Sequence, residues 1–305
     1  TVNGSDFGSK PQAAAQIPVE DFSGGSDGQL LDAYDANWVA YAGGQIGAVL
    51  STTESVEGGI SASNTTSRHG FDTNHKAISQ TDKMFLSCHW KVVESGADDG
   101  LIKLARATSS TSAGGGGVFN GAGVHTISNM QPPNNTAQTF ITAGNVVLDS
   151  DAELGADNRT TVGKNVWVRI DYEIKLSDPG VANGRFAIEV VNTESNKYEN
   201  IENRNSGFNF QLDTVLLGLM HANNNTGAGW QMYTDLVYAD NTWARIEIGD
   251  SAIYENCTYR RLMNPTSWTA TQVQGVVPHT PPSGTYYVFV KTDVGVLATG
   301  YEVTV

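Results

Sequence analysis

The stretch VWVRIDYEIKL, residues 166–176, decides the fold, because its side chains alternate in character along the chain. One side of an extended backbone would carry the apolar and aromatic residues Val166, Val168, Ile170, Tyr172, Ile174 and Leu176. The opposite side would carry a tryptophan and four charged residues, Trp167, Arg169, Asp171, Glu173 and Lys175. The pattern predicts a β-strand with one face in a core. The role of its second face is the functional question that the stretch raises.

Further extended stretches recur along the chain with turn residues between them. They lie at residues 84–93, 101–107, 137–143, 185–191, 213–219, 230–238, 243–248, 285–291 and 300–305. The connection SDPGVANG, residues 177–184, consists of turn residues and predicts an antiparallel hairpin between residues 166–176 and 185–191. Few stretches have a helical period. The sequence therefore predicts an all-β protein, with a jelly-roll sandwich as its larger part.

Composition excludes two classes of partner. The chain has 305 residues, of which 18 are basic and 32 acidic, and its net charge is −14. This charge repels both nucleic acid and anionic membrane surfaces, and no apolar run is long enough to span a bilayer. An acidic surface rich in Gly, Asn, Thr and Ser suits an extracellular protein, and any secretory signal is expected to have been removed already. Cys88 and Cys257 lie far apart in sequence and are expected to be unpaired.

Several glycines fall in two turn-rich stretches, residues 108–123 and 222–229. Neither stretch ends in the Gly-Lys-Ser/Thr motif of a phosphate-binding loop, so both are predicted to be mobile loops.

Two runs resemble the concanavalin A-like, LamG-type jelly rolls of bacterial and phage surface proteins. The first extends from Trp167 through the SDPGVANG turn to Phe186, and the second is YTDLVYADNTWARIEIGD at residues 233–250. An early acidic strand of that group is similar to Glu20, Asp21 and Phe22, and a late one is similar to Thr234, Asp235, Leu236 and Val237. The resemblance implies a structural calcium ion held by Asp21 and Asp235. The sequence departs from the family at Thr234, where a second aspartate is usual.

A second resemblance joins the two ends of the chain. TVNGSDFGSKP at residues 1–11 resembles an early strand of the immunoglobulin-like TIG/IPT fold, and residues 244–305 contain the remaining strand motifs in the family's order. On this interpretation a jelly roll at residues 13–242 is inserted into an immunoglobulin-like domain formed by residues 1–12 and 243–305. The family's usual first strand has no counterpart here, which leads to the hypothesis that a neighbouring chain donates it.

Catalytic motifs are not evident. Glycosidases of this fold carry alternating acidic residues on one strand, and alginate-lyase-like members carry R-x-E-x-R, Q-I-H and Y-x-K-x-G strands, none of which occurs. Asp171 and Glu173 alternate on one face, but the flanking Arg169 and Lys175 favour a solvated, cross-paired strand surface. The six histidines are scattered without the spacing of a zinc site.

Two further kinds of site are predicted. Asp149 and Asp151, within LDSDAELGADN, provide carboxylates for a possible structural calcium ion, with a plain acidic turn as the alternative. Carbohydrate binding is assigned to exposed aromatic rings with polar neighbours, namely Trp167, Trp230, Trp38, Arg169 and Asn224. The alternative is that the tryptophans close the edges of the core.

These features favour a non-enzymatic structural or adhesive protein, located on an extracellular surface or a virion as a capsid decoration or fibre. Its expected partners are a surface glycan or neighbouring subunits, in a homo-oligomer or a larger particle. The first alternative is a polysaccharide lyase with a cleft built from residues such as Arg169, Tyr172 and Glu173. The second is an adhesin that binds protein.

Overall fold

The computed structural model describes most of the chain. The described residues are 1–40, 47–65, 71–94, 101–108, 123–131, 138–145, 153–154, 159–161, 165–192, 194–201, 211–221, 230–296 and 300–305. Strands dominate them. In chain order the strands are β1 Val2–Asn3, β2 Ile17–Glu20, β3 Val39–Ala40, β4 Val49–Ser51, β5 Ser61–Thr65, β6 Phe71–Thr81, β7 Lys83–Glu94, β8 Leu101–Thr108, β9 Gly123–Gln131, β10 Gln138–Asn145, β11 Glu153–Leu154 and β12 Arg159–Thr161. They continue as β13 Val168–Lys175, β14 Gly184–Val190, β15 Glu194–Ile201, β16 Leu212–His221, β17 Trp230–Asp240, β18 Arg245–Gly249, β19 Arg260–Trp268, β20 Gln272–Val276, β21 Thr285–Thr292, β22 Gly295–Val296 and β23 Tyr301–Thr304.

Helical structure within the described residues is short. It consists of the α-helix α1, Leu31–Tyr34, and a 3₁₀ helix at Tyr254–Asn256. No helix in the described part of the chain is long and apolar enough to cross a membrane. The prediction of an all-β fold with jelly-roll character is confirmed.

Sheet I contains the strand that opened the sequence analysis. Its order is β15-β14-β13-β7-β17-β5-β4, and β2 also pairs with β17. The predicted hairpin is present, because β13 and β14 are antiparallel neighbours with Tyr172 opposite Ile188. The prediction that alternate residues of β13 enter a core is also confirmed, since Ile170, Tyr172 and Ile174 are each at most 2% exposed.

Sheet II packs against the apolar face of sheet I. Its order is β11-β10-β9-β8-β16-β6-β3, and β12 also pairs with β10. The main core cluster draws Leu86 and Cys88 from sheet I and Ala107, Val215 and Leu217 from sheet II. Burial of this apolar surface is the main stabilising contribution to the sandwich.

Sheet III brings the two ends of the chain together. Its order is β1-β20-β19-β18-β21-β22, and β23 also pairs with β21. Val2 lies opposite Val273 in the β1–β20 pair, and Phe7 joins the same buried cluster as Ile246 and Val288. The domain boundaries at residues 12/13 and 242/243 stay predictions.

The Trp243 side chain connects sheet III to sheet I. The indole nitrogen of Trp243 donates to the carbonyl oxygens of Met84 and Ile174 in sheet I, each at 3.2 Å. Trp268 packs against the cluster of sheet III.

Both cysteines, Cys88 and Cys257, are buried and free, as expected from their separation in sequence.

Candidate functional site

The charged face of β13 is covered rather than exposed. Arg169 is 5% exposed, and its guanidinium bonds Asp171 at 2.7 Å and Glu247 of β18 at 2.9 Å. Glu173 pairs with Arg185 on sheet I and, at 3.2 Å, with Arg245 on sheet III. The expected cross-pairing is therefore present, but the expected solvation is not, because sheet III lies over this face.

Electrostatics in this covered network favour the charged forms. Burial alone raises the pKa of Glu247, but Arg169 and Arg245 together hold that pKa well below its ordinary value. Burial likewise opposes ionisation of Glu173, and Arg245 and Lys291 nevertheless lower its pKa. These groups are ion-paired structural residues. Arg169, expected to contact carbohydrate, is instead occupied by protein carboxylates, and a lyase cleft on this face has no open surface.

The other predicted carbohydrate contacts are not brought together. Trp38 is 0% exposed and lies in the main core, with Lys76 Nζ 5.2 Å from its ring centroid. Trp167 is partly exposed and precedes β13. Trp230 begins β17, and nothing further is described of its side chain. Asn224 lies outside the described residues. Trp38 thus closes the core, in agreement with the structural alternative for that residue.

The predicted calcium ligands lie in two different situations. Asp149 and Asp151 lie outside the described residues. Asp235 is 3% exposed and accepts hydrogen bonds from the backbone amides of Val56 and Leu236 at 2.9 and 2.8 Å. Burial, reinforced by the nearby carboxylates of Asp21 and Glu57, raises its pKa to about 7. Within the part of the chain that the structure describes, no group of three or more His, Cys, Asp or Glu residues could hold a metal ion.

Asp21 contacts a histidine of the terminal region rather than a second acidic strand residue. His279 Nε2 lies 2.8 Å from Asp21 Oδ2, and Glu57 is paired with Arg261 at 2.6 Å. The His89 side chain lines the same small cavity as Glu57, Arg261 and His279. Burial first, and then the positive charges of Arg261 and Arg169, lower the pKa of His89 well below its ordinary value, so His89 is neutral.

A row of residues that includes two histidines and an arginine is aligned across sheet II. Strand register places seven residues opposite one another, one from each successive strand: Val39, His75, Leu216, Arg106, His125, Gly144 and Glu153. We call this set the His75 row. The neighbouring row contains Val215 and Ala107, which are both core residues. Because successive strand residues alternate between faces, the backbone positions of the His75 row lie on the side of sheet II opposite that core, where Leu216 is nonetheless fully buried.

Spacing along the His75 row suits an extended ligand. Adjacent strands lie ~4.8 Å apart, so Arg106 and His125 occupy neighbouring positions and His75 lies ~14 Å from His125. His75 is half-buried, and burial lowers the pKa of its imidazole. At neutral pH His75 is therefore mainly uncharged and can accept a proton. By strand register, the row brings one arginine position and two histidine positions into line across the sheet.

Sequence reasoning missed this alignment. His75 and His125 appeared scattered because they are separated by 50 positions and neither has a local histidine partner. A usable signal was the alternation of residues within each strand. Arg106 precedes the core residue Ala107, so alternation assigns position 106 to the opposite side of the sheet. That signal is informative only after the order β9-β8-β16-β6 is known.

Comparison with known proteins supports the fold and corrects the functional prediction. No protein-family model matches the chain, and no curated protein matches it either. Among solved structures, the alginate lyase Aly36B is 10% identical with a TM-score of 0.54, covering 75% of this chain and 98% of that chain. The marine PL-14 alginate lyase from Aplysia kurodai is 11% identical with a TM-score of 0.50, covering 74% and 99%. A variant of Aly36B in complex with an alginate tetrasaccharide is 9% identical with a TM-score of 0.52, covering 75% and 98%.

At these identities the likeness shows a shared jelly-roll-like sandwich. It does not confirm the LamG-type or TIG/IPT resemblance. The predicted location on an extracellular surface or a virion stays a prediction. The prediction of a non-enzymatic structural protein is wrong, because these similar solved structures are alginate lyases. They favour the enzyme alternative instead.

Proposed function

We propose that the protein is a polysaccharide lyase that cleaves an acidic, uronate-containing polysaccharide on the outward face of sheet II. The observation that supports this proposal most directly is the alignment of His75, Arg106 and His125 in one row across that sheet. The likeness to alginate lyases adds support at the level of the fold. The covered network on sheet I removes the competing location around Arg169.

Lyase chemistry requires three functions. A base removes the proton next to the uronate carboxylate, a cation neutralises that carboxylate, and an acid protonates the departing glycosidic oxygen. Arg106 supplies the cation, because a guanidinium binds a carboxylate with two parallel hydrogen bonds. His125 occupies the position next to Arg106, and in this proposal its imidazole first removes the proton as the base and then donates it to the departing oxygen as the acid, because the two reacting sites are on adjacent carbon atoms. His75, ~14 Å from His125, contacts a neighbouring sugar through its uncharged imidazole.

The proposed residues differ from the R-x-E-x-R, Q-I-H and Y-x-K-x-G pattern of alginate-lyase-like proteins. No tyrosine belongs to the His75 row. Proton transfer is therefore assigned to His125, and contact with a neighbouring sugar is assigned to His75. A structural calcium ion, an extracellular location, a donated strand and assembly into an oligomer stay predictions.

The test measures unsaturated uronate ends by ultraviolet absorbance during incubation with alginate, polyglucuronate and other acidic polysaccharides. We expect activity on at least one of them, and a decrease of about 100-fold or more in the His125→Gln variant. Arg106→Lys is expected to raise KM and lower kcat, because a single ammonium replaces a bidentate contact.

His221→Gln is the matched control. Its residue ends β16 opposite Ile102, outside the His75 row, and the variant is expected to retain activity. Full activity in His125→Gln, or no elimination product from any acidic polysaccharide, would overturn the proposal.

A further inference from the structure

A buried lysine and a buried aspartate meet where the N-terminal segment contacts the end of β17. Lys10 Nζ lies 2.5 Å from Asp240 Oδ2, and both side chains are 0% exposed. Lys10 Nζ also donates to the carbonyl oxygen of Ala13 at 2.9 Å. The two side chains therefore have no contact with solvent. The Lys10 ammonium is held between the Asp240 carboxylate and the Ala13 carbonyl oxygen.

The surroundings of the Asp240 carboxyl resemble those of an activated acyl group. Its Oδ2 accepts a hydrogen bond from the Tyr238 hydroxyl at 2.9 Å, and its Oδ1 accepts one from the backbone amide of Asn241 at 2.8 Å. Burial raises the pKa of Asp240, although Lys10 opposes this effect. Tyr238 itself lies in an apolar cluster with Phe85 and Trp243. These contacts distinguish one oxygen that can leave from one that can hold developing negative charge.

We propose that Lys10 and Asp240 join through an intramolecular isopeptide bond. Proton transfer across the short contact gives a neutral amine and a neutral carboxylic acid. The amine nitrogen of Lys10 then adds to Cγ of Asp240, while Asn241 N–H stabilises the charge on Oδ1. The Cγ–Oδ2 bond breaks with Tyr238 donating a proton to the departing oxygen and recovering one from the amine. The products are one amide bond and one water molecule.

Energetics favour the amide over a permanent ion pair at this position. A charged lysine and aspartate without solvent must offset a desolvation cost of several kcal/mol per ion, whereas an amide is neutral. The bond would also tie residue 10 to residue 240, across the whole jelly-roll portion of the chain. Such a link restricts the unfolded chain in the same way as a long-range disulfide.

A mass measurement on the full chain under denaturing conditions tests the proposal. The expected mass is lower than the sequence mass by one water molecule. Trypsin should then yield residues 1–68 covalently attached to residues 205–245, because neither peptide contains an internal cleavable site and Lys10 precedes a proline.

Three variants make the assignment specific. Lys10→Arg keeps the positive charge but offers no amine, so its measured mass should equal its sequence mass. Lys83→Arg is the matched control, since Lys83 also lies 2.5 Å from an aspartate, Asp293, but both of those side chains are partly exposed. It should retain the loss of water. Tyr238→Phe should lower the linked fraction measured soon after synthesis.

Wild-type protein at its full sequence mass would overturn the proposal and leave an ion pair. A loss of water that maps to other peptides, such as a cyclised Asp27–Gly28, would also overturn it. Both results come from the wild-type chain, so the test does not depend on the folding of a variant.

Discussion

Replacement of Arg169 by methionine tests the network that joins sheet I to sheet III. The guanidinium donates to Ser87 Oγ at 3.2 Å, to the two oxygens of Asp171 at 2.9 and 2.7 Å, and to Glu247 at 2.9 Å. Methionine fills much of the volume of the side-chain stem but makes none of these bonds. Glu247 keeps Arg245 as a partner at 2.8 Å, whereas Asp171 loses its cation.

The expected magnitude follows from the burial of these groups. Asp171 is 3% exposed and Glu247 is 1% exposed, so solvent cannot replace the lost charge. Removing one partner of a buried pair typically costs about 3–5 kcal/mol, because the remaining charge is uncompensated. We expect Arg169→Met to lower the free energy of unfolding by about that amount. Asp171→Asn added to Arg169→Met should recover part of the loss, since it removes the unpaired carboxylate.

Urea unfolding followed by tryptophan fluorescence measures these changes. The control is Lys197→Met, which breaks a 2.6 Å pair with Glu199 at a surface where the two side chains are 53% and 44% exposed. Its expected cost is below about 1 kcal/mol. If Arg169→Met also costs less than about 1 kcal/mol, the network does not stabilise the contact between the sheets.

Three further outcomes are expected. Because burial raises the pKa of Asp235 from 3.8 to about 7, the folded state binds its proton more tightly, and the free energy of unfolding should fall as pH rises from about 4 to about 7. The change is at most roughly 4 kcal/mol, and comparison of wild type with Asp235→Asn in urea titrations at several pH values isolates it. Gly25→Ala should lower the free energy of unfolding by about 1–3 kcal/mol, because the added Cβ overlaps the buried Leu50 side chain. If the proposed lyase function is correct, moderate salt should raise kcat/KM on a polyanionic substrate, since it screens repulsion from a chain of net charge −14; a steady decrease would contradict this expectation.

Local sequence was sufficient for the strand and hairpin predictions, and insufficient for what covers each strand. Alternation in residues 166–176 identified Ile170 and Tyr172 as core residues, because period two is a property of the strand itself. It also identified Arg169 as facing away from that core. Glu247, which pairs with Arg169 and belongs to the strand that covers β13, lies 78 positions later. No local sequence pattern predicts that β18 packs over β13.

The same limit explains the missed row on sheet II. His75, Arg106 and His125 are brought into one row by strand order, since β16 enters the sheet between β6 and β8 although it follows both by more than a hundred residues. A motif search depends on spacing within one segment, and it cannot detect a site whose members each come from a different strand. The search for alginate-lyase-like motifs therefore gave no indication of these residues.

The burial of the charged face of sheet I constrains where chemistry can take place. Sheet I turns Arg169, Asp171 and Glu173 toward sheet III, so its charges are neutralised internally and contribute to cohesion between the sheets. In sheet II the core residues Ala107 and Val215 face sheet I, and strand alternation assigns the backbone positions of the His75 row to the opposite side. An acidic polysaccharide would approach a chain with a large negative net charge, so its binding requires a local cation. Arg169 is already held by Asp171 and Glu247, and the proposed function therefore assigns this role to Arg106, whose replacement tests the proposal.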